Sequence, residues 1–503
     1  MKTLLIDPPY NCLMGTKAPS IYPLGLAYLS AMLNKAGHES VYVNLDYDDT
    51  LIYVNPFSRV KNVSFYKKYL DECDKDLDCH TWKKLKDLLV WISPEIVGIS
   101  CVTVKMKSVL KVARIIKNYS LDIKVVLGGH HSQIYAKDIL NNCLDVDFII
   151  KGEGEESLVE LADLLEKQKL KNGSNLEESL KNIDGLVFRD DLGKACENRP
   201  RSFISNLDSL PYAESAKYYK NERLINLPLS SIMTSRGCPY QCSYCATNQI
   251  WQRNIRRRSV ENVINEIEYR ISEQNIREFN FLDDCFTMNK NWILEFCNLI
   301  LRKNISINWS CISSISFIDE TLFGLIVRAG CNKINLGIES GSERILELCN
   351  KHLNLNHARK IFDYARKYRI STTAYFMMGF PTETKDDIKK TQELICELKP
   401  NWVYMNIWIP LPGTTFFDWA VKKGLIDVKS AWSGDIYESL QFNYTNMISD
   451  EALNQLVDEA YELCYKINKK MVNILKRIPF KAYIKKPHKA ILDMKKFADW
   501  VRK

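Results

Sequence analysis

The chain has 503 residues, 46% of them hydrophobic, and its 69 Lys or Arg against 61 Asp or Glu give a formal net charge of +8. That length divides into two or three domains, each large enough to bury its own core. Thirteen Lys or Arg against two Asp fall within residues 466–503, so the tail alone carries +11 and no general nucleic-acid footprint covers the rest.

Met1-Lys2-Thr3-Leu4-Leu5-Ile6-Asp7 reads as a first strand rather than the apolar core of a signal segment. Sixteen cysteines lie too scattered for a disulfide framework, and no uncharged stretch nears the roughly eighteen residues that span a membrane. A reducing, anaerobic-type cytoplasm is the expected location. Further strands are predicted at residues 40–45, 96–101, 124–127 and 147–150, with segments between them long enough for crossover helices. Residues 1–155 are therefore expected to form an α/β domain with a doubly wound parallel sheet, whose ligand lies beyond the carboxyl ends of the strands. Those ends carry Asp7-Pro8-Pro9-Tyr10, Cys101-Val102-Thr103, Gly128-Gly129-His130-His131 and Gly152-Glu153-Gly154-Glu155. None matches GxGxxG, which argues against a nicotinamide cofactor.

Residues 156–225 read as a connector, with a helix at 157–168 and a hairpin around Gly185 to Gly193, and no chemistry is assigned to it. Then comes Arg236-Gly237-Cys238-Pro239-Tyr240-Gln241-Cys242-Ser243-Tyr244-Cys245. Its CxxxCxxC spacing supplies three thiolates from one loop to one metal centre. A structural zinc loop normally uses CxxC pairs and a fourth Cys or His nearby, but the next histidine downstream is His352. A four-iron cluster held by four cysteines carries electrons, whereas one held by three leaves an iron open to bind something else. Strands are predicted at 230–234, 278–282, 307–310, 333–338, 372–378 and 402–409, a rhythm that suggests a partial (β/α)6 barrel over residues 226–425 with its site at the carboxyl strand ends. Arg256, Arg257 and Arg258 precede Ser259, a natural N-cap, and read as a solvated basic turn. Residues 426–503 read as a helical, basic region: a helical run from Ser449 toward Val472, then a cationic amphipathic stretch. That stretch suits a solvated face packed on the barrel, a membrane-surface contact or a clamp for an anionic substrate.

At the cysteine loop the chain resembles the radical S-adenosylmethionine enzymes, in which the open iron chelates the cofactor's amine and carboxylate. The N-terminal pieces, with Pro19-Ser20-Ile21-Tyr22-Pro23-Leu24-Gly25, resemble the cobalamin-binding domain that precedes the radical domain in one large subfamily. The resemblance covers about residues 1–425 and implies a [4Fe-4S] cluster on Cys238, Cys242 and Cys245. It implies S-adenosylmethionine contacts at Tyr244, Asp283, Asp284, Glu339, Ser340, Met378 and Gly379. For cobalamin it implies Pro8, Tyr10, Thr103, Gly128 and Gly129, together with His131, Gly152 and Glu153. Each residue outside the cysteines also has a plain structural reading: Asp283 as a loop cap, Ser340 at a helix start, Gly379 in a turn. No DxHxxG run is present, so cobalt is expected without a histidine from that loop, and His131 is expected to bond a neighbouring carbonyl or cofactor amide. Relatives often carry arginine at the position of Ser314, and its loss makes the substrate side less basic.

The implied function is cobalamin-dependent radical methyl transfer to an unactivated carbon of a small molecule or lipid, with an electron donor such as flavodoxin or ferredoxin. The alternatives are oxidative cyclisation or rearrangement of the anaerobic porphyrin cyclase type and, in another class, a non-catalytic cobalamin and iron–sulfur sensor.

Overall fold

The computed structural model describes residues 1–16, 23–48, 51, 59–75, 80–170, 176–220, 223–227, 229–434 and 443–469. Residues 19–22 of the cobalamin-type run, and the basic stretch beyond residue 469, lie outside the described residues. The chain divides into two compact units, Met1–Pro56 with Val60–Phe286 and Ile409–Phe442, and Phe57–Arg59 with Thr287–Trp408 and Asn443–Lys503.

The first unit is organised by nine strands: β1 (Lys2–Asp7), β2 (Glu39–Asn44), β3 (Ile96–Ser100), β4 (Lys124–Gly128), β5 (Phe148–Ile150), β6 (Leu186–Arg189), β7 (Ala195–Glu197), β8 (Lys217–Lys220) and β9 (Arg223–Asn226). Their order across the sheet is β7-β6-β5-β4-β3-β1-β2-β8-β9. The five expected strands pair in parallel, and the order reverses between β1 and β3, the switch point at which open α/β sheets bind ligands. Leu4, Leu5 and Ile6, with Val97 and Ile99, are buried, as continuous apolar runs covered on both faces must be.

The segment read as a connector carries, after its expected helix, four strands that join the sheet. β6 adds antiparallel to β5 and β7 to β6, while β8 and β9 extend the other edge beyond β2. A hairpin is legible from its turn residues, but its attachment edge is a long-range pairing that local sequence does not encode. Phe188 and Leu186 close over the same core as Phe148 and Leu161.

The strand–helix rhythm of the barrel region also appears. In the first unit β10 (Ser231–Ile232) pairs in parallel with β13 (Glu278–Phe281), and between them β11 (Ser235–Arg236) pairs antiparallel with β12 (Arg256–Arg257). In the second unit β14 (Asn308–Ser313), β15 (Cys331–Glu339), β16 (Ser371–Met378) and β17 (Trp402–Ile407) lie parallel in sequential order. Ile334, Leu336, Ala374, Phe376, Val403 and Met405 alternate toward one buried face. The helices between these strands begin at side-chain caps: Asn289, Asp319 and Asn354, and Thr384 in a capping box with Asp387. Of the region beyond residue 425, the helix Asp450–Asn468 packs on β17, where Asn468 both donates to Val403 O and accepts from Val403 N at 2.9 Å. That part is a face packed on its own unit.

Candidate functional site

The cysteine loop is fixed from both ends. Asp283, just after β13, accepts hydrogen bonds from Thr234 N at 2.6 Å, Ser235 N at 2.9 Å and the Thr234 hydroxyl. Asp284 Oδ2 accepts from Gly237 N at 3.2 Å. Gly237 has φ +102°, and a Cβ there would meet Asn254 O at 2.5 Å, so only glycine admits this turn. Further on, Cys245 N donates to Cys242 O at 3.0 Å and Phe416 N to Ser243 O at 3.1 Å. Asp283 thus braces the loop, with both its oxygens committed in a fully buried position. Asp284 is also bound to the loop, and burial, with Asp283 beside it, raises its carboxyl above the usual range.

Cys242 is buried, and Cys238, Cys245 and Tyr244 are partly exposed. Burial, with Cys285, Asp284 and Cys245 nearby, pushes the Cys238 thiol up to about 12; a bound cation reverses that order by favouring the thiolate. Among the described residues the one set of metal-ligating atoms lying within 4.8 Å of one another is His38, Asp163 and Glu166, where the Met1 ammonium already holds Glu166 at 2.6 Å.

A second feature lies at the carboxyl ends of β1, β3, β4 and β5, a cavity of about 380 Å³. Gly128, Gly129, Gly152 and Glu153 line it. Gly129, φ +121°, lets the chain pass so close to Cys101 that a Cβ would sit 2.7 Å from its carbonyl oxygen. Pro8, Tyr10, Thr103 and His131 are not among its lining residues. Pro8 is buried, and Tyr10 belongs to a turn closed by Asp46, which accepts from Tyr10 N at 2.7 Å; the Tyr10 ring meets Tyr69 edge-on at 4.8 Å. Thr103 is buried at the start of a short turn whose Lys105 pairs with Asp7 at 2.7 Å. His131 lies fully buried with Nε2 2.9 Å from the Trp432 carbonyl oxygen, the backbone bond anticipated for it.

Burial pulls the His131 pKa down to about 4 from its ordinary 6.5. A depressed histidine must gain a proton on unfolding, so its contribution is fully present above pH 6.5 and is lost as pH falls toward 4. In thermal scans the His131→Asn protein is expected to lose less stability than the parent across that window. Parallel pH profiles would contradict this.

The cavity also takes residues that sequence reading missed: His130, Met233, Arg236 and Trp251. His130 is one place from the residue expected. Neither ring nitrogen has a partner at full hydrogen-bond geometry, and the nearby Pro412 backbone only partly offsets the burial that lowers its pKa. Unsatisfied nitrogens at a cavity wall fit a ligand rich in amides. Nor are Arg256 and Arg258 a solvated turn. Both are buried: Arg256 Nη1 donates to Glu153 at 2.7 Å and Arg258 Nη1 to Glu266 at 2.6 Å. Charged runs read as solvated unless their partners are known, and Glu153 lies 103 residues away.

In the second unit Glu339 ends β15 at a register shift with φ +71°, an uncommon conformation for a residue with a side chain. Its Oε1 lies 3.4 Å from Lys351 Nζ. Ser340 is fully buried, with its hydroxyl 3.2 Å from that of Thr391 and accepting from Ser342 N, which is the helix-start role. Met378 is also buried; its carbonyl accepts from Trp408 N at 2.7 Å, and Gly379 N donates to Glu383. Burial pushes the Glu383 carboxyl up to about 8.

Comparison with known proteins follows this division. The family model of the Radical SAM superfamily matches residues 232–395, and that of the B12 binding domain matches residues 69–162. The chain is 30% identical over 434 residues to the uncharacterized methyltransferase PH0819 of Pyrococcus horikoshii, covering 85% of this chain and 84% of that protein. The chain belongs to the cobalamin-binding radical S-adenosylmethionine family. It is 22% identical to the anaerobic magnesium-protoporphyrin IX monomethyl ester cyclase of Rubrivivax gelatinosus, over 83% of this chain and 69% of that one. Among solved structures, the radical S-adenosylmethionine methyltransferase TsrM from Kitasatospora setae superposes with a TM-score of 0.60 at 18% identity, over 80% of this chain and 72% of that chain, a likeness of fold. As a member of this family, the protein is a radical enzyme that works with a [4Fe-4S] cluster, S-adenosylmethionine and cobalamin. No helix among the described residues is long and apolar enough to cross a membrane.

Proposed function

We propose that Cys238, Cys242 and Cys245 hold the cluster, that the cavity beyond the carboxyl strand ends holds cobalamin, and that the protein methylates an unactivated carbon of a small molecule or lipid. The observation that carries this reading is a shared wall: Met233 and Arg236 just before the cysteine loop, and Ile250 and Trp251 just after it, line the same cavity as Gly128, Gly129 and Gly152. A site for methyl donation thus borders a site for radical generation. When bound, the cluster and S-adenosylmethionine supply a carbon-centred radical and cobalamin supplies a methyl group.

The chain's own residues bind and orient. The three thiolates of Cys238, Cys242 and Cys245 would hold the cluster and leave it able to bind the methionine end of S-adenosylmethionine. Tyr244 would serve the adenine side of the loop and Asp284 the methionine end, and Glu339, Met378 and Gly379 would serve the ribose and adenine. Asp283 and Ser340 support these positions from behind. His130 would offer a ring nitrogen to an amide of the corrin, and the loop after β1, Asp7-Pro8-Pro9-Tyr10-Asn11, carries no histidine. The electron comes from a reduced carrier of the flavodoxin or ferredoxin class, and the working compartment is the reducing cytoplasm.

Methyl transfer consumes S-adenosylmethionine in two ways, so 5′-deoxyadenosine and S-adenosylhomocysteine are expected to rise together during turnover of the reduced holoenzyme, measured by liquid chromatography. Substrate-dependent 5′-deoxyadenosine with no S-adenosylhomocysteine would instead favour cyclisation, the activity named for the Rubrivivax relative.

A further inference from the structure

In the ribbon that launches the cysteine loop, Arg236 and Arg256 stand directly opposite each other on β11 and β12. Like charges in that relation destabilise a strand pair. Here a carboxylate from the cobalamin-binding part of the unit resolves the conflict. Glu153 accepts from Arg236 through Oε1 and from Arg256 through Oε2, and is itself held by Ile204 N at 2.7 Å. The second nitrogen arm of Arg236 bonds Glu155. All four side chains are buried, the two guanidinium and two carboxylate charges balance, and the Trp251 ring lies 5.8 Å from one guanidinium and 5.6 Å from the other. Arg236 also lines the cavity and is followed at once by the glycine whose turn admits no side chain, then by Cys238.

We propose that Arg236 is a positioning residue: gripped by Glu153 and Glu155, it fixes the first cysteine of the loop at one distance from the cobalamin cavity. Neither carboxylate needs to touch a cofactor for this. Only arginine, with its planar fork, can engage two carboxylates at once on fixed geometry, so lysine restores charge without the double grip. The proposal rests on the cofactor placement above. Its consequence is coupling: with that distance loosened, 5′-deoxyadenosine would form without a matching amount of methylated product.

The test uses the holoenzyme and its Arg236→Gln, Arg236→Lys and Glu155→Gln variants. Iron, sulfide and cobalamin contents are measured first, then the dipolar interaction between the reduced cluster and cob(II)alamin by pulsed electron paramagnetic resonance, then the ratio of 5′-deoxyadenosine to methylated product. The parent is expected to show one narrow distance. The Arg236→Gln protein is expected to keep its cofactors, show a broadened distance distribution and raise the product ratio at least tenfold, with Arg236→Lys between the two. If Arg236→Gln fails to fold, Glu155→Gln, which leaves the Glu153 contacts in place, is expected to broaden the distribution in the same direction. An unchanged distance distribution in a fully loaded Arg236→Gln or Glu155→Gln protein overturns the proposal. A parent that loads both cofactors yet transfers no methyl group defeats the functional reading instead, and the distance measurement still decides the joint.

Discussion

Replacing any one of Cys238, Cys242 or Cys245 with alanine is expected to remove reductive cleavage of S-adenosylmethionine, a fall of at least about a thousandfold, or roughly 4 kcal/mol of transition-state stabilisation. The three thiolates act as a unit, because a cluster missing one protein ligand has lost the geometry that leaves a single iron open. The same substitution at Cys285 or Cys311, both buried and outside the CxxxCxxC loop, is expected to leave the iron content after reconstitution near that of the parent. Iron and sulfide analysis of each anaerobically purified variant checks this. Full iron and full cleavage in the Cys242→Ala protein would contradict it.

Removing Glu266 is expected to have the largest effect on stability. Glu266 is fully buried on the helix Val260–Gln274 and serves two guanidinium groups, Arg258 at 2.6 Å through one oxygen and Arg270 Nε at 3.0 Å through the other. Arg270 continues to the Ala213 carbonyl at 2.9 Å, so one carboxylate ties this helix to the end of the ribbon under the cysteine loop. Alanine there leaves two buried cations unpaired, at a cost of about 3 to 5 kcal/mol. Calorimetry is expected to show the first unfolding transition lowered by at least about 6 °C. A shift under about 2 °C would mean that water reaches these groups. By contrast, a surface pair such as Lys466 with Glu462 contributes little, because both side chains are solvated.

The contrast between Cys238 and Glu266 marks what the sequence reveals. The three cysteines are readable because their ligand geometry is local, set by a spacing of four and three residues in one loop. The parallel strands β1 to β5 are readable as short apolar runs, and β14 to β17 as apolar residues alternating along one face. Arg256 and Arg258 are not, since a charged side chain is buried or solvated according to partners elsewhere in the chain, and Glu153 is not marked as one. The same limit explains β6 to β9: the turn residues announce a hairpin but not the edge it joins. His130 and His131 differ by one place, and a GG turn does not fix which of two histidines the following helix turns toward the cavity. Asp283 follows a strand as a ligand would, but its oxygens meet backbone N–H groups 49 and 48 residues earlier, a closure visible only in three dimensions.

The central claim is that a radical site on the cysteine loop and a methyl donor in the neighbouring cavity act on one substrate. Its most direct test is the fate of the methyl group. The anaerobically reduced holoenzyme is incubated with extract of its host and S-adenosylmethionine deuterated in the methyl group, and the small-molecule and lipid fractions are compared by mass spectrometry with a Cys242→Ala control. The account requires a metabolite that gains a deuterated methyl group only with the parent protein. Substrate-dependent 5′-deoxyadenosine without deuterium in any product would contradict it.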